Sequence, residues 1–163
     1  MPAPPVSALK GISEISAQLF SEVRTKFLAE VKSNPHLYCK EDIECVETND
    51  WQIQRFILEH KYSSESALKA LIIAMQWRKS FGVKNLNESD FPEEYYRSGS
   101  MVTYGRDRNN ATILIVRANI HKKINEWADT IKKFFVFQIE RIDFNNDGKG
   151  LKKFLTLLNS FYI

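Results

Sequence analysis

The feature that constrains this chain most is a stripe of apolar residues four apart: Ile15, Leu19, Val23, Phe27 and Val31, with Glu14, Glu22, Arg24, Lys26, Glu30 and Lys32 on the other faces. Spacing close to the 3.6-residue turn puts the stripe on one side of a helix. A stripe of that length is stable only when other apolar elements cover it. The following segments supply them. Pro35 restricts Asn34 to extended backbone and ends the first helix near Ser33. A short acidic helix is expected around Glu41 to Glu47. Asp50 offers an N-cap carboxylate ahead of Ile53, Phe56 and Ile57. Ser63 or Ser64 caps a helix carrying Ala67, Leu68, Leu71, Ile72 and Met75, which stops at Gly82. Residues 12–82 thus read as a small helical bundle, with Phe56, Leu68, Leu71, Ile72 and Trp77 expected in one core.

The pattern changes at Ser98-Gly99. Met101 to Tyr104 and Ala111 to Ala118 are rich in Val, Ile, Thr and Tyr and flank Gly105 to Asn110, whose Gly and Asn residues tolerate positive φ. A β-hairpin is expected, its second strand apolar enough to be buried on both faces. A long helix follows, with Ile124, Trp127, Ile131, Phe134, Phe135 and Ile142 on one side. A turn at Asn145 to Gly148 leads to a last helical stretch through Leu151, Phe154, Leu155, Leu158 and Phe161. The expected fold class is α+β or α/β, a helical bundle followed by an incomplete α/β domain. Trp77 and Trp127 both fall on apolar sides and are expected in the core.

Composition sets outer limits. A chain of 163 residues, 44% hydrophobic and 26% charged, can bury a core and is neither collagen-like nor wholly disordered. No apolar run approaches the ~20 residues that span a bilayer. The opening MPAPPVSALKG lacks a basic head and an apolar h-region, so a cytosolic chain is expected, with Cys39 and Cys45 as reduced thiols. The net charge of +3 is uneven: residues 101–163 carry eleven Lys/Arg against six Asp/Glu, whereas residues 1–50 carry five against eight. The pairs Lys122/Lys123, Lys132/Lys133 and Lys152/Lys153 recur among apolar positions. Their bland reading is a solvated helix face; the sharper one is a cationic face for anionic lipid headgroups. No nucleic-acid motif accompanies them.

Arg55-Phe56-Ile57, the turn Lys61-Tyr62-Ser63, Ala67-Leu68-Lys69-Ala70-Leu71 and the terminal Trp77-Arg78 together resemble the N-terminal helical region of the CRAL-TRIO lipid-binding family. Tyr104-Gly105 with Asp107, then an apolar strand, resembles the hairpin that opens the family's lipid-binding half. Phe20 to Arg24, Gln76 to Lys79 and Asn85 to Ser89 are similar to a branch whose members add a major sperm protein-like domain and a membrane anchor. The resemblance covers roughly residues 18–163. It implies a helical subdomain over residues 12–97, a partial lipid-binding domain over 98–163 and a flexible start over 1–11. It also implies non-enzymatic binding or transfer of a phospholipid or other hydrophobic ligand at cytosolic membrane surfaces, the endoplasmic reticulum among them.

Within that frame the lipid-pocket candidates are Ile113, Ile115, Phe134, Phe135, Phe154 and Leu158, and the membrane-facing basic candidates are Lys122, Lys123, Lys132 and Lys133. The family continues after its long helix with a buried parallel strand. Here residues 151–162 read as the helix beyond that strand, so the strand is expected to be skipped, as in a truncated product. The Phe134/Phe135 face should then lie exposed. The alternative is a helical interaction or membrane-tethering module without a cavity.

Other motifs carry less. Asp143, Asn145, Asp147 and Gly148 match the first half of a calcium loop, but Phe154 stands where the bidentate Glu is required, so a polar turn is expected. His36, His60 and His121 have no metal-binding spacing. No nucleophile elbow, Cys with a base or glycine-rich phosphate loop is present. No catalytic residue, metal or cofactor is assigned. Asn87-Glu88-Ser89 and Asn110-Ala111-Thr112 match glycosylation sequons, which matter only in secreted chains.

Overall fold

The computed structural model describes the backbone of residues 6–106, 112–117, 127–145 and 155–157. The chain divides into two compact units, Met1–Lys84 and Asn85–Ile163. Its described part is an α+β protein in which helices predominate and the strands begin with an antiparallel hairpin.

The first unit is built from α1 (Val6–Ser33), α2 (Lys40–Thr48), α3 (Asp50–Glu59) and α4 (Ser64–Phe81). The four-residue stripe of α1 is its spine. Val23, Phe27 and Val31 are buried against Val46, Ile53, Ile57, Ala67, Leu71 and Met75 from the other three helices. Leu19, Phe56, Leu68 and Ile72 pack on this core, partly buried. The chain leaves α1 through a 3₁₀ turn at Pro35–Leu37. Tyr38 then meets the Phe27 ring edge-on at 5.6 Å, and its hydroxyl accepts a hydrogen bond from Gln76 Nε2 at 3.0 Å.

The caps follow the chemistry of the sequence with one shift. Asn49, not Asp50, is the N-cap of α3: its backbone is extended and its side chain accepts from the Trp51 amide at 3.0 Å. A cap must lie outside helical φ/ψ, and Asp50 is already helical, its carboxylate paired with Arg24 of α1. Ser63 caps α4, and Gly82 ends it in the left-handed conformation at φ 76°.

Trp77 does not join the core. It is 47% exposed and stacks on Phe81, ring centroids 4.8 Å apart. Ala67, Leu71 and Met75 form the buried stripe of α4, and Trp77, two residues past Met75, sits about 200° round the helix. Because α4 is apolar on most sides, periodicity alone does not separate its buried stripe from its exposed one.

The α3–α4 turn holds two consecutive non-glycine residues at positive φ, Lys61 at 50° and Tyr62 at 66°. Each residue in this region costs about 1–2 kcal/mol relative to ordinary backbone. Tyr62 is 60% exposed. Tyr62→Gly is therefore expected to raise the unfolding free energy by roughly 0.5–1 kcal/mol, the relief of strain outweighing the added freedom of the unfolded chain. A urea-unfolding midpoint that falls instead would show that the tyrosine side chain, not the backbone, dominates at this site.

In the second unit a 3₁₀ turn at Glu88–Asp90 and α5 (Glu93–Arg97) lead into β1 (Met101–Arg106), β2 (Thr112–Arg117), α6 (Ala128–Asn145) and β3 (Leu155–Leu157). β1 and β2 pair antiparallel, Met101 opposite Val116 and Thr103 opposite Leu114, with an irregularity between Thr103 and Arg106 where Gly105 adopts φ 59°. Only Leu114 of β2 is fully buried. Thr112, Ile113, Ile115 and Val116 are half-buried and Arg117 is exposed, so the strand is not buried on both faces.

The main correction concerns the end of the chain. Residues 155–157, expected to be helical, form β3, which pairs parallel to β2 with Ile115 opposite Leu155 and Arg117 opposite Leu157. Sheet order is β1-β2-β3. A parallel partner requires a crossover connection, and α6 lies within it. The spacing of Leu151, Phe154, Leu155 and Leu158 fits a helical stripe, but pairing with β2 overrides it at the backbone. The strand expected to be skipped therefore stands where a helix was expected.

A second apolar cluster forms around Phe134 of α6, which is fully buried, with Phe91 and Met101. The Phe134 ring lies 5.3 Å from Phe91, 5.3 Å from Tyr95 and 5.1 Å from Tyr96. Phe135 and Phe137 pack against the cluster, half-buried. The expected exposure of the Phe134/Phe135 face is thus overturned, because segment 85–101 covers it. Trp127 lies just ahead of α6 and is 53% exposed rather than in the core.

Candidate functional site

Among the described residues, the pocket candidates Ile113, Ile115, Phe134 and Phe135 do not gather on one side of the sheet. Side chains alternate between the faces of a strand, so Leu114 and Val116 share one face of β2 and Ile113 and Ile115 the other. Val116 packs on the cluster centred on Phe134. Phe134 and Phe135 of α6 therefore lie on the opposite side of the sheet from Ile113 and Ile115. Phe154 and Leu158 lie outside the described residues. Phe134 is closed in by three aromatic rings, and this burial raises the pKa of the Tyr95 and Tyr96 hydroxyls.

Of the basic candidates, Lys132 and Lys133 are exposed on α6, and Lys132 Nζ stands 3.3 Å from the Asp129 carboxylate. Lys122 and Lys123 lie outside the described residues. Asp143 and Asn145 belong to the α6 backbone, not to a loop, whereas Asp147 lies outside the described residues. Among the described residues no group of three His, Cys, Asp or Glu side chains gathers to hold a metal ion. Burial raises the pKa of the Cys39 thiol, which favours an inert, protonated side chain, whereas Cys45 is exposed.

A cleft that the sequence reading did not single out lies between α3 and α4. Arg55, Phe56 and Glu59 form one wall and Ala74, Trp77 and Arg78 the other, around a volume of about 360 Å³. The Arg55 guanidinium lies 5.0 Å from the centre of the Phe56 ring, within reach of a cation–π interaction. Arg78 is fixed from behind: its Nε donates to Asp42 Oδ2 and its Nη2 to Oδ1, each at 3.0 Å. Lys84 adds a third cationic contact to this nearly buried carboxylate, at 3.5 Å. The Trp77-Arg78 pair thus splits in role: the arginine ties α4 to α2, and the indole faces outward. Ile73 and Trp77, four residues apart, share this outward face, with the same spacing as the buried Leu71 and Met75, so no local sequence signal marks it.

Among the described residues no helix is long and apolar enough to cross a membrane. No family model matches the chain, and no solved structure matches it.

Proposed function

We propose that the chain is a non-enzymatic lipid-binding module of the CRAL-TRIO kind, acting at membrane surfaces on a phospholipid or another hydrophobic ligand. The observation that carries this reading is the path β1, β2, α6, β3: an antiparallel hairpin, a helix, and then a strand parallel to the second hairpin strand. That order is the one the sequence resemblance implies after its hairpin, and it removes the main departure from the family's pattern. A four-helix unit, Met1–Lys84, precedes it, where the resemblance implies a helical subdomain over residues 12–97. A soluble lipid carrier has to shield acyl chains worth ~0.8 kcal/mol per CH₂, and a sheet flanked by helices can provide an apolar wall.

The second reading, a tethering or interaction module without a cavity, is favoured by one observation. The described pocket candidates stand on two sides of the sheet, and Phe134 is sealed in the core. Native mass spectrometry of the purified chain separates the two. A co-purifying lipid at one per chain, exchangeable with added phospholipid, is expected for the carrier. A lipid-free chain that also fails to move a fluorescent phospholipid between vesicles would overturn it in favour of the tether.

A further inference from the structure

Among the described residues of the first unit, four large apolar side chains stand exposed, all in the α3–α4 hairpin: Leu58 at 48%, Tyr62 at 60%, Ile73 at 67% and Trp77 at 47%. Ile73 and Trp77 are one helical turn apart on α4, so they form a ridge, and Trp77 also forms part of the wall of the cleft that contains Phe56. Small side chains at Ser66, Ala70 and Ser80 continue the ridge along the helix. Lys69 shares this face, in an exposed pair with Glu65 at 2.7 Å. Charge is distributed to match. From Asp50 to Lys84 the chain carries six Lys/Arg against three Asp/Glu, whereas from Ala17 to Asn49 it carries four against six. Arg78 and Lys84 of that set are turned onto Asp42, and Asp50 onto Arg24, which leaves Arg55, Lys61, Lys69 and Lys79 against Glu59 and Glu65 on the half that carries these exposed apolar side chains.

We infer that the α3–α4 hairpin is a membrane-docking edge, which lays Ile73 and Trp77 into the headgroup boundary of an anionic bilayer while Lys61 and Lys69 meet the lipid phosphates and carboxylates. The inference rests on the membrane-surface reading above and moves the contact from the C-terminal lysine pairs to the helical unit. Indole and aliphatic side chains flanked by lysine suit an interface that is apolar below and anionic above. Lysine stems lie along the apolar layer while their ammonium groups stay at its surface. A protein partner would be expected to need a complementary acidic pocket, whereas a bilayer needs only this ridge and its charge.

The test uses the full chain, pelleted with vesicles of phosphatidylcholine alone or with added phosphatidylserine. Preference for the serine-containing vesicles is expected, weakening as salt screens the lysines. Ile73→Ser with Trp77→Ser should lower the partition by about tenfold or more, since two exposed apolar groups no longer leave water. Lys61→Glu with Lys69→Glu should remove the preference for phosphatidylserine, at on the order of fivefold per lysine, whereas Lys132→Glu with Lys133→Glu should change little. All six positions are exposed, and an unaltered unfolding midpoint shows that each variant is folded. With Trp51→Phe and Trp127→Phe in place, Trp77 emission should shift to the blue on binding and be quenched by brominated lipid. Equal partition of the Ile73/Trp77 variant and the unaltered chain overturns the inference. So does Trp77 emission that stays water-like while the chain pellets. A chain that co-purifies with lipid but ignores vesicles sinks the docking edge and leaves the lipid-binding reading standing; one that docks through Trp77 yet carries no lipid does the reverse.

Discussion

Arg78→Ala is expected to cost about 3–5 kcal/mol of stability, because it leaves the nearly buried Asp42 carboxylate without its two-pronged partner. The pair links α2 to α4, and Lys84, one-third exposed and 3.5 Å away, compensates only in part. Desolvating a carboxylate is costly, so the loss comes from the stranded charge more than from the attraction removed. Replacing both partners by apolar residues of similar size, Asp42→Leu with Arg78→Met, should recover most of the loss. Urea unfolding followed by circular dichroism reads both. If the single variant loses less than about 1 kcal/mol, the carboxylate reaches water and the pair does not hold the two helices together.

Phe134→Ala is expected to cost about 3–5 kcal/mol, the cost of emptying a fully buried aromatic site. Loss of its edge-to-face contacts with Phe91, Tyr95 and Tyr96 adds to the cavity term. The near-ultraviolet aromatic signal should melt earlier. This variant also discriminates between two roles for the residue. A phenylalanine that lined a lipid cavity would, once truncated, alter ligand binding with little change in stability. A core phenylalanine does the opposite, and the latter is expected.

The helical unit was largely legible in the sequence because its signals are local. Four-residue spacing in α1, Pro35 after it, Ser63 before α4 and Gly82 behind it each act within one or two turns of chain. Asn49 was missed as a cap because Asp50, one residue on, has the same hydrogen-bonding chemistry. Trp77 was misplaced because α4 is apolar around most of its circumference, and which stripe is buried depends on where α1 and α3 lie. The hairpin was visible from its β-branched strands and its Gly/Asn turn. β3 was not, since Leu151, Phe154, Leu155 and Leu158 satisfy a helical period, and pairing with β2 is information held elsewhere in the chain. The described pocket candidates fall on two sides of the sheet for a related reason. Apolar character marks a residue as buried, but only the sheet determines on which of its two sides the residue is buried.

The parallel pairing of β3 with β2 also sets an order in time. β1 and β2 are neighbours along the chain and can close on each other as soon as both exist, whereas β3 reaches β2 only after the whole connection from Arg117 to Leu155, α6 included, has been drawn together. The entropy of closing a loop rises with its length, so contacts of this kind form late. On a ribosome, β2 waits with one side unpaired until β3 emerges, and in that interval its open backbone groups can accept a strand from another chain. β3 thus acts as a closing stitch, the strand that covers the edge of β2 the hairpin leaves open.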